Sequence, residues 1–309
     1  MEQIMKNRLI INGKKAGSSQ LREAVKCCRQ QGASIEVRVT WEQGDVERFC
    51  DEAFSEGFNT PHHRLIIAGG DGSIHEIVNA VMRYDANQRP SIGIVPLGTA
   101  NDFAKSCGLP DTLPQALNIA VAGDTKPLDI VKSTEENRQP VYFVNMLTAG
   151  FGAQVTAQTP VELKNMLGGG AYTLSGLVQA AHFKPFGLKL ESYEHRFSGK
   201  MIAGALCNGR FAGGGQELGK NACLDDGMLQ VCFLKDFPAS AVGQVLREIA
   251  VYNQAGECNG EYLQGFKCQN MSVFAQESIP TNLDGEPHMF TNCSFTVLPK
   301  ALNFALPRV

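Results

Sequence analysis

The sequence has no block of basic residues: Lys and Arg number 28 against 31 Asp and Glu among 309 residues, a formal net charge of −3. Without a polybasic field there is no counterion release to drive association, so nucleic acid is excluded as a partner. No run approaches the ~18 consecutive apolar residues of a membrane-spanning helix. The opening MEQIMKNRLIING offers two basic residues and a short strand-like stretch, so it reads as neither a secretory signal nor an anchor. Cys-x-x-Cys is missing too. The ten cysteines lie singly except for adjacent Cys27 and Cys28, which argues against a metal knuckle or a disulfide framework and for small core residues in a reducing compartment. Internal repeats and low-complexity tracts are absent.

What is present is glycine, 32 residues in clusters, and 43% hydrophobic residues, enough for a core in each of two domains. Up to about residue 130 strand and helix patterns alternate. Leu9–Ile11, Ile35–Val39, Leu65–Ala68 and Ile92–Val95 read as strands. Leu21, Ala24, Val25 and Cys28, then Val46, Phe49, Ala53 and Phe54, then Ile74, Ile77, Val78 and Val81, fall at helical spacing between them. That order predicts an α/β domain, 1–128, on a doubly wound, mainly parallel sheet. Beyond Pro127, apolar runs at 141–147, 188–193, 201–206, 228–234, 271–275 and 294–298 predict a β-rich domain, 129–298, with helices only near Val161–His182 and Ala239–Tyr252. The tail from about 299 to 309 is a candidate to return to the first domain.

The densest glycine cluster lies in LIIAGGDGSIHEIVNAV, 65–81, which reads as strand, turn and helix. Ser73 and Glu76 have capping-box spacing, predicting a helix that starts at Ser73 with its free amides facing the turn. Gly69, Gly70 and Gly72 allow close approach to the backbone, and a helix N-terminus behind them suits a phosphate. Asp71 is negative where an anion is expected, which fits if a cation bridges them, as Mg²⁺ does on a nucleoside triphosphate. The plainer alternative is a tight turn whose Asp is merely solvated. The turn is not a Walker A loop, and His75 stands where a dinucleotide fingerprint has its third glycine. His75 itself reads as an exposed first-turn residue.

IGIVPLGTANDFA, 92–104, repeats the design, with Thr99 and Asp102 at capping spacing and Asn101 beside them. Thr40, ending the second strand before Trp41, is either a third hydroxyl at the same edge or an ordinary strand-end residue. Two acidic turns follow in the second domain, NACLDDGMLQV at 221–231 and NLDGEP at 282–287. Asp-Gly commonly marks a plain turn between strands. Glu286, set between Gly285 and Pro287, is the more suggestive carboxylate, while RFAGGG at 210–215 reads as a glycine hinge or loop.

AGGDGSIHE, PLGTANDFA, DDGMLQV and NLDGE, in this order and at these separations, resemble the bacterial diacylglycerol kinase-type lipid kinase family. VRVTWEQGD at 37–45 and NGRFAGGGQ at 208–216 extend the likeness over nearly the whole chain. The resemblance implies an ATP-dependent lipid kinase with an α/β nucleotide domain, a sandwich-like second domain and an active site between them. By position, Thr40, Thr99 and the run Gly70, Asp71, Gly72, Ser73, Ile74, His75 and Glu76 would contact ATP. Glu286 would be the catalytic base, in a desolvated setting, and Asp71 would attend the Mg²⁺ of ATP. Asp226, with the main chain of Cys223 and Met228, would hold a separate structural Mg²⁺ or Ca²⁺.

The implied acceptor is the hydroxyl of phosphatidylglycerol, diacylglycerol or a related lipid, met at the membrane surface by a cytoplasmic protein peripheral to the inner membrane. Leu163, Met166, Leu167, Leu174, Leu177 and Val178 would either line an acyl groove or pack as core. The family more often has Thr where Ser73 stands and Asn where His75 stands. An NAD kinase-like enzyme, sharing the GGDG turn, and a non-catalytic lipid-binding protein on the same scaffold are the rival expectations.

Overall fold

Four short strands, β1 (Asn7–Ile11), β2 (Ile35–Val39), β3 (Arg64–Gly69) and β4 (Ser91–Pro96), pair in parallel in the order β2-β1-β3-β4. All five residues of β1 and all six of β3 are buried, as parallel strands covered on both faces must be. The computed structural model describes residues 5–150 and 184–308. Its chain divides into two units, Met1–Asp129 with Pro299–Val309, and Ile130–Leu298.

In the first unit, helices α1 (Ser19–Gln30), α2 (Asp45–Ser55) and α3 (Asp71–Met82) follow β1, β2 and β3. The short α4 (Asp102–Ser106) and α5 (Leu113–Ala122) follow β4. Leu9, Ile66, Ala68 and Val95 form one core cluster with Leu21, Ala24, Val25 and Cys28 of α1 and Leu117, Ala120 and Val121 of α5. Successive strand residues alternate between faces, so buried Ile10, Leu65, Ile67 and Ile94 point to the other side of the sheet. The helical face read from Leu21 to Cys28 is the buried face of α1. Helix α5 is an element the periodicity passes over, because Pro114 breaks the apparent pattern; proline is tolerated there, in the first helical turn. The chain returns to this unit at its end: Phe304 pairs with Ile92 in parallel, and Lys300 N donates to the Asp129 carboxylate at 2.7 Å.

The second unit is a set of antiparallel strands. β5 (Asp124–Thr134) enters it and pairs with β6 (Val141–Phe143). β7 (Met146–Gly150) and β8 (Phe186–Glu191) both pair with β9 (Arg196–Cys207), so they lie end to end along it. After the small hairpin of β10 (Phe211–Ala212) and β11 (Gln216–Glu217), β12 (Leu229–Lys235) joins the free side of β9. Helix α6 (Val242–Ala255) follows, then β13 (Cys258–Asn259), β14 (Leu263–Cys268), β15 (Asn270–Leu283) and β16 (Glu286–Leu306). Each apolar run anticipated there overlaps a strand, the run 141–147 being split between β6 and β7, and the helix expected near Ala239–Tyr252 is α6; the one expected near Val161–His182 lies outside the described residues.

Phe143, Phe290 and Phe295 meet edge-on in the core of this unit. On the other face Val245, Ile249 and Tyr252 of α6 pack on Ile202, Leu234 and Leu263. Glu248 of α6 accepts the amides of Glu261, Tyr262 and Leu263 at 2.7–2.9 Å. Burial pushes its carboxyl up, but the Leu263 amide, the Gln244 side chain and the other two amides outweigh burial and hold it below the usual range. The cysteines are mostly interior, as expected, although Cys27 and Cys223 are exposed.

Candidate functional site

In the order β2-β1-β3-β4 the chain moves from β1 to one side and then to the other, so the topological switch point lies between β1 and β3, where α/β sheets collect ligands. The segments that leave these strand ends are Asn12–Gly13 and Gly69–Gly70. Asn12 Nδ2 donates to Ser73 Oγ at 3.3 Å, and the Gly13 amide donates to Thr40 Oγ1 at 3.1 Å. Glycine is required at 13, since a Cβ there would stand 2.1 Å from the Thr40 carbonyl oxygen. A continuous edge therefore runs from Thr40 through Gly13 and Asn12 to Ser73. Neither Asn12 nor Gly13 is singled out by the sequence patterns, although an Asn-Gly pair directly after a strand was the available signal.

Helix α3 begins at Asp71, two residues earlier than the capping box predicts, with Gly70 as an extended N-cap and no side-chain cap. Ser73 is inside the first turn with its hydroxyl engaged by Asn12, so it is not the N-cap. The first-turn amides of this twelve-residue helix are left without an intrahelical acceptor. His75 is half-buried rather than exposed, its Nε2 lying 3.3 Å from the Asn79 side chain.

The glycines of the two turns face one another. A Cβ on Gly70 would lie 3.0 Å from the Gly98 Cα, and one on Gly98 would lie 2.5 Å from the Gly70 Cα. The close approach inferred from the sequence is in part that of one turn to the other. Asp71 completes the joint, its carboxylate accepting the amides of Asp102 at 3.2 Å and Phe103 at 3.0 Å. Thr99, expected to cap α4, is exposed and makes no such bond. Asp71 caps that helix instead, because Asn101 turns left-handed (φ 52°) and closes its own side chain on Gly98.

In the second unit, NLDGEP forms a two-residue hairpin: Leu283 pairs with Glu286 across Asp284 (φ 48°) and Gly285 (φ 98°), the signature of a type I′ turn. Of its two acids, Asp284 is the buried one, accepting the amides of Val144, Asn145 and Met146 at 2.8–3.0 Å. Glu286 is exposed as the first residue of β16, so its own unit does not supply the desolvated setting expected for it. The motif draws attention to Glu286, whereas the buried acid is Asp284.

At the other acidic turn, Asp226 Oδ1 accepts the Met228 amide at 3.0 Å and Oδ2 pairs with Lys267 Nζ at 2.7 Å. Cys223 donates its thiol to Asp225 at 2.9 Å. A divalent ion at this turn would have to compete with the ammonium of Lys267, which stands against the only side-chain oxygen donor of the expected ligand set. Among the described residues no group of three or more His, Cys, Asp or Glu side chains is placed to hold a metal. At Asp71 the donor chemistry does fit a hard cation, since a carboxylate is the kind of oxygen donor that Mg²⁺ takes.

A model of the diacylglycerol kinase catalytic domain matches residues 6–133, and one of the YegS C-terminal NAD kinase beta sandwich-like domain matches 145–306. The "probable lipid kinase YegS-like" of Shewanella frigidimarina is 42% identical over 97% of this chain and 93% of its own. The "probable lipid kinase YegS" of Escherichia fergusonii is 40% identical over 97% and 95%. A crystal structure of a diacylglycerol kinase from Bacillus anthracis superposes with a TM-score of 0.70 at 20% identity, over 99% of this chain and 98% of that one, a likeness of fold. The chain belongs to the YegS-like family of lipid kinases.

Proposed function

We propose that the protein transfers the γ-phosphoryl group of ATP to a lipid hydroxyl, with phosphatidylglycerol, diacylglycerol or a related lipid as acceptor. The observation that carries the nucleotide half is the uncapped N-terminus of α3, placed at the switch point behind Gly69 and Gly70. The amides of Gly72 and Ser73 supply hydrogen bonds to phosphate oxygens, and the helix dipole favours their charge. Thr40 and Thr99, with the run from Gly70 to Glu76, complete the nucleotide contacts. Asp71 would hold Mg²⁺, which when bound offsets the charge of the phosphoryl oxygens in flight. Through the amides of Asp102 and Phe103, Asp71 also keeps the second turn in place.

Glu286 takes the proton of the acceptor hydroxyl, which requires that hydroxyl within about 2.6–3.2 Å of the carboxylate. Because Glu286 is exposed, the bound lipid itself supplies the desolvation. Within the second unit, Leu147, Leu188, Met201, Val231, Phe233 and Phe290 wall an apolar cavity of about 30 Å³, which is too small for an acyl chain, so the chain must lie elsewhere. The candidates from Leu163 to Val178 lie outside the described residues. No helix among the described residues is long and apolar enough to cross a membrane, and we place the enzyme at the membrane surface, on the cytoplasmic side.

The test is purified protein with labelled ATP, Mg²⁺ and a panel of lipids alongside NAD. Label in one or more lipids is expected. Label in NAD alone would overturn the proposal in favour of an NAD kinase-like activity, and label in neither would favour a lipid-binding scaffold.

A further inference from the structure

The loop after β2 combines a pinned backbone with a bare side chain. Trp41, the single tryptophan of the chain, is 95% exposed. Its amide donates to Asp45 Oδ2 at 2.6 Å, and the Glu42 amide donates to the same oxygen at 3.1 Å. Asp45 is buried and gripped by Arg48 through two bonds, at 2.7 and 3.2 Å. On the other side of the indole, Thr40 N donates to the Ile11 carbonyl at 2.9 Å and Thr40 Oγ1 accepts from Gly13. Tryptophan has a large apolar surface to hide. Here the chain orders the backbone on both sides of it and leaves that surface in water.

Position supplies the rest. β2 neighbours β1 and β1 neighbours β3, so at about 4.8 Å per strand the end of β2 lies ~10 Å along the sheet edge from the end of β3. The path between them is Thr40, Gly13, Asn12 and Ser73, already linked by hydrogen bonds. A nucleotide with its phosphates on the first turn of α3 reaches about that far through its sugar to its base. Toward β4 it meets the turn in which Asn101 closes on Gly98, and Phe103 of the helix that follows is buried against Phe304. Toward β2 it meets the loop that carries the exposed Trp41.

We infer that Trp41 is the platform on which the purine base stacks. This rests on the nucleotide site proposed above and adds the residue that recognises the base. Stacking uses the π face of the ring, and a platform ordered before binding loses little freedom when the base arrives.

Because Trp41 is the sole tryptophan, the emission of the full-length protein reports on it alone. ATP and ADP are expected to quench that emission saturably, whereas inorganic tripolyphosphate displaces ATP without quenching. Trp41→Ala is expected to weaken ATP binding, measured by calorimetry, about tenfold or more, and Trp41→Phe to recover most of the loss. Both variants should melt as the wild type does, since the side chain is almost fully exposed. Calorimetric binding of ATP with unchanged emission, or with unchanged affinity in Trp41→Ala, overturns this inference and leaves the nucleotide site standing. No binding of ATP at all overturns both. A blue shift with phosphatidylglycerol vesicles, and none with ATP, would make the indole a membrane contact and overturn the stacking role.

Discussion

The carboxylate of Asp71 holds the backbone amide of Phe103 at 3.0 Å, with that of Asp102 at 3.2 Å, across 32 and 31 residues of sequence. An acid in the first turn of one helix thus caps the next, and Gly70 and Gly98 lack side chains where the two turns meet. The charge that looks out of place in the proposed phosphate-binding turn has a structural partner as well as the catalytic task proposed for it, and variants can separate the two.

Asp71→Ala removes both acceptors; about 1–2 kcal/mol of stability should be lost with the cap, and phosphoryl transfer abolished. Asp71→Asn keeps one acceptor. Thermal melts should show most of the stability retained, while a lipid kinase assay should show at least a ~10²-fold loss of rate. Wild-type turnover in the Asn variant would leave Asp71 with the cap alone.

Glu286→Gln is nearly isosteric and lies on the surface, so it should leave melting and nucleotide affinity almost unchanged. Loss of a positioned base lowers turnover by ~10²–10⁴. A variant that keeps most of its rate would show that Glu286 only shapes the hairpin.

Asp284 should behave oppositely to its neighbour two residues on. Asp284→Ala orphans three buried amides, each worth about 1–3 kcal/mol, which together approach the ~5–15 kcal/mol by which whole domains are stable. Denaturant unfolding is expected to show a severe loss, or no folded protein, whereas Glu286→Ala stays within about 0.5 kcal/mol of wild type. Asp284→Asn, which keeps an acceptor and tolerates the left-handed turn, should recover part of the loss. Wild-type stability in Asp284→Ala would show that the clamp contributes nothing.

The pairing of Asp226 with Lys267 sets an expectation for metals. Without nucleotide, Mg²⁺ or Ca²⁺ should not shift the melting of the wild type. In Lys267→Met the released carboxylate should make melting cation-dependent. A saturable stabilisation of the wild type that Asp226→Ala removes would mean that the ion displaces the lysine.

The Asp45 carboxyl is held down to about 2, chiefly by the Trp41 amide, then by Arg48 and the Glu42 amide. A depressed folded value means that this grip contributes fully above the ordinary carboxylate value near ~4 and is lost as pH falls toward 2. Wild type should therefore melt above Asp45→Asn at neutral pH, and the gap should narrow across the interval from about pH 4 to pH 2. A gap that stays constant with pH would show that the charge of Asp45 is not what holds the loop.

The alternation of strand and helix in the first unit was legible because periodicity is local: Leu21 to Cys28 declare a helical face whatever they pack on, and Leu65–Ala68 declare a buried strand. Residue order alone also marked the chemistry-bearing turns, GGDGS, GTAND and NLDGE, and these motifs carry the family. The bonds that individual acids and hydroxyls make were not legible. Asp71 reaches Phe103, Asp284 reaches Val144 from 140 residues away, Asp226 meets Lys267 and Asn12 takes the hydroxyl of Ser73. In each case the partner is brought in by strand pairing or by a neighbouring turn, and no local pattern records it. The same holds for the exposure of Trp41 and Glu286 and the burial of Asp284. A residue type with its nearest neighbours fixes what a side chain is able to bond, but only the tertiary structure decides which partner comes within 3 Å and whether water is kept out.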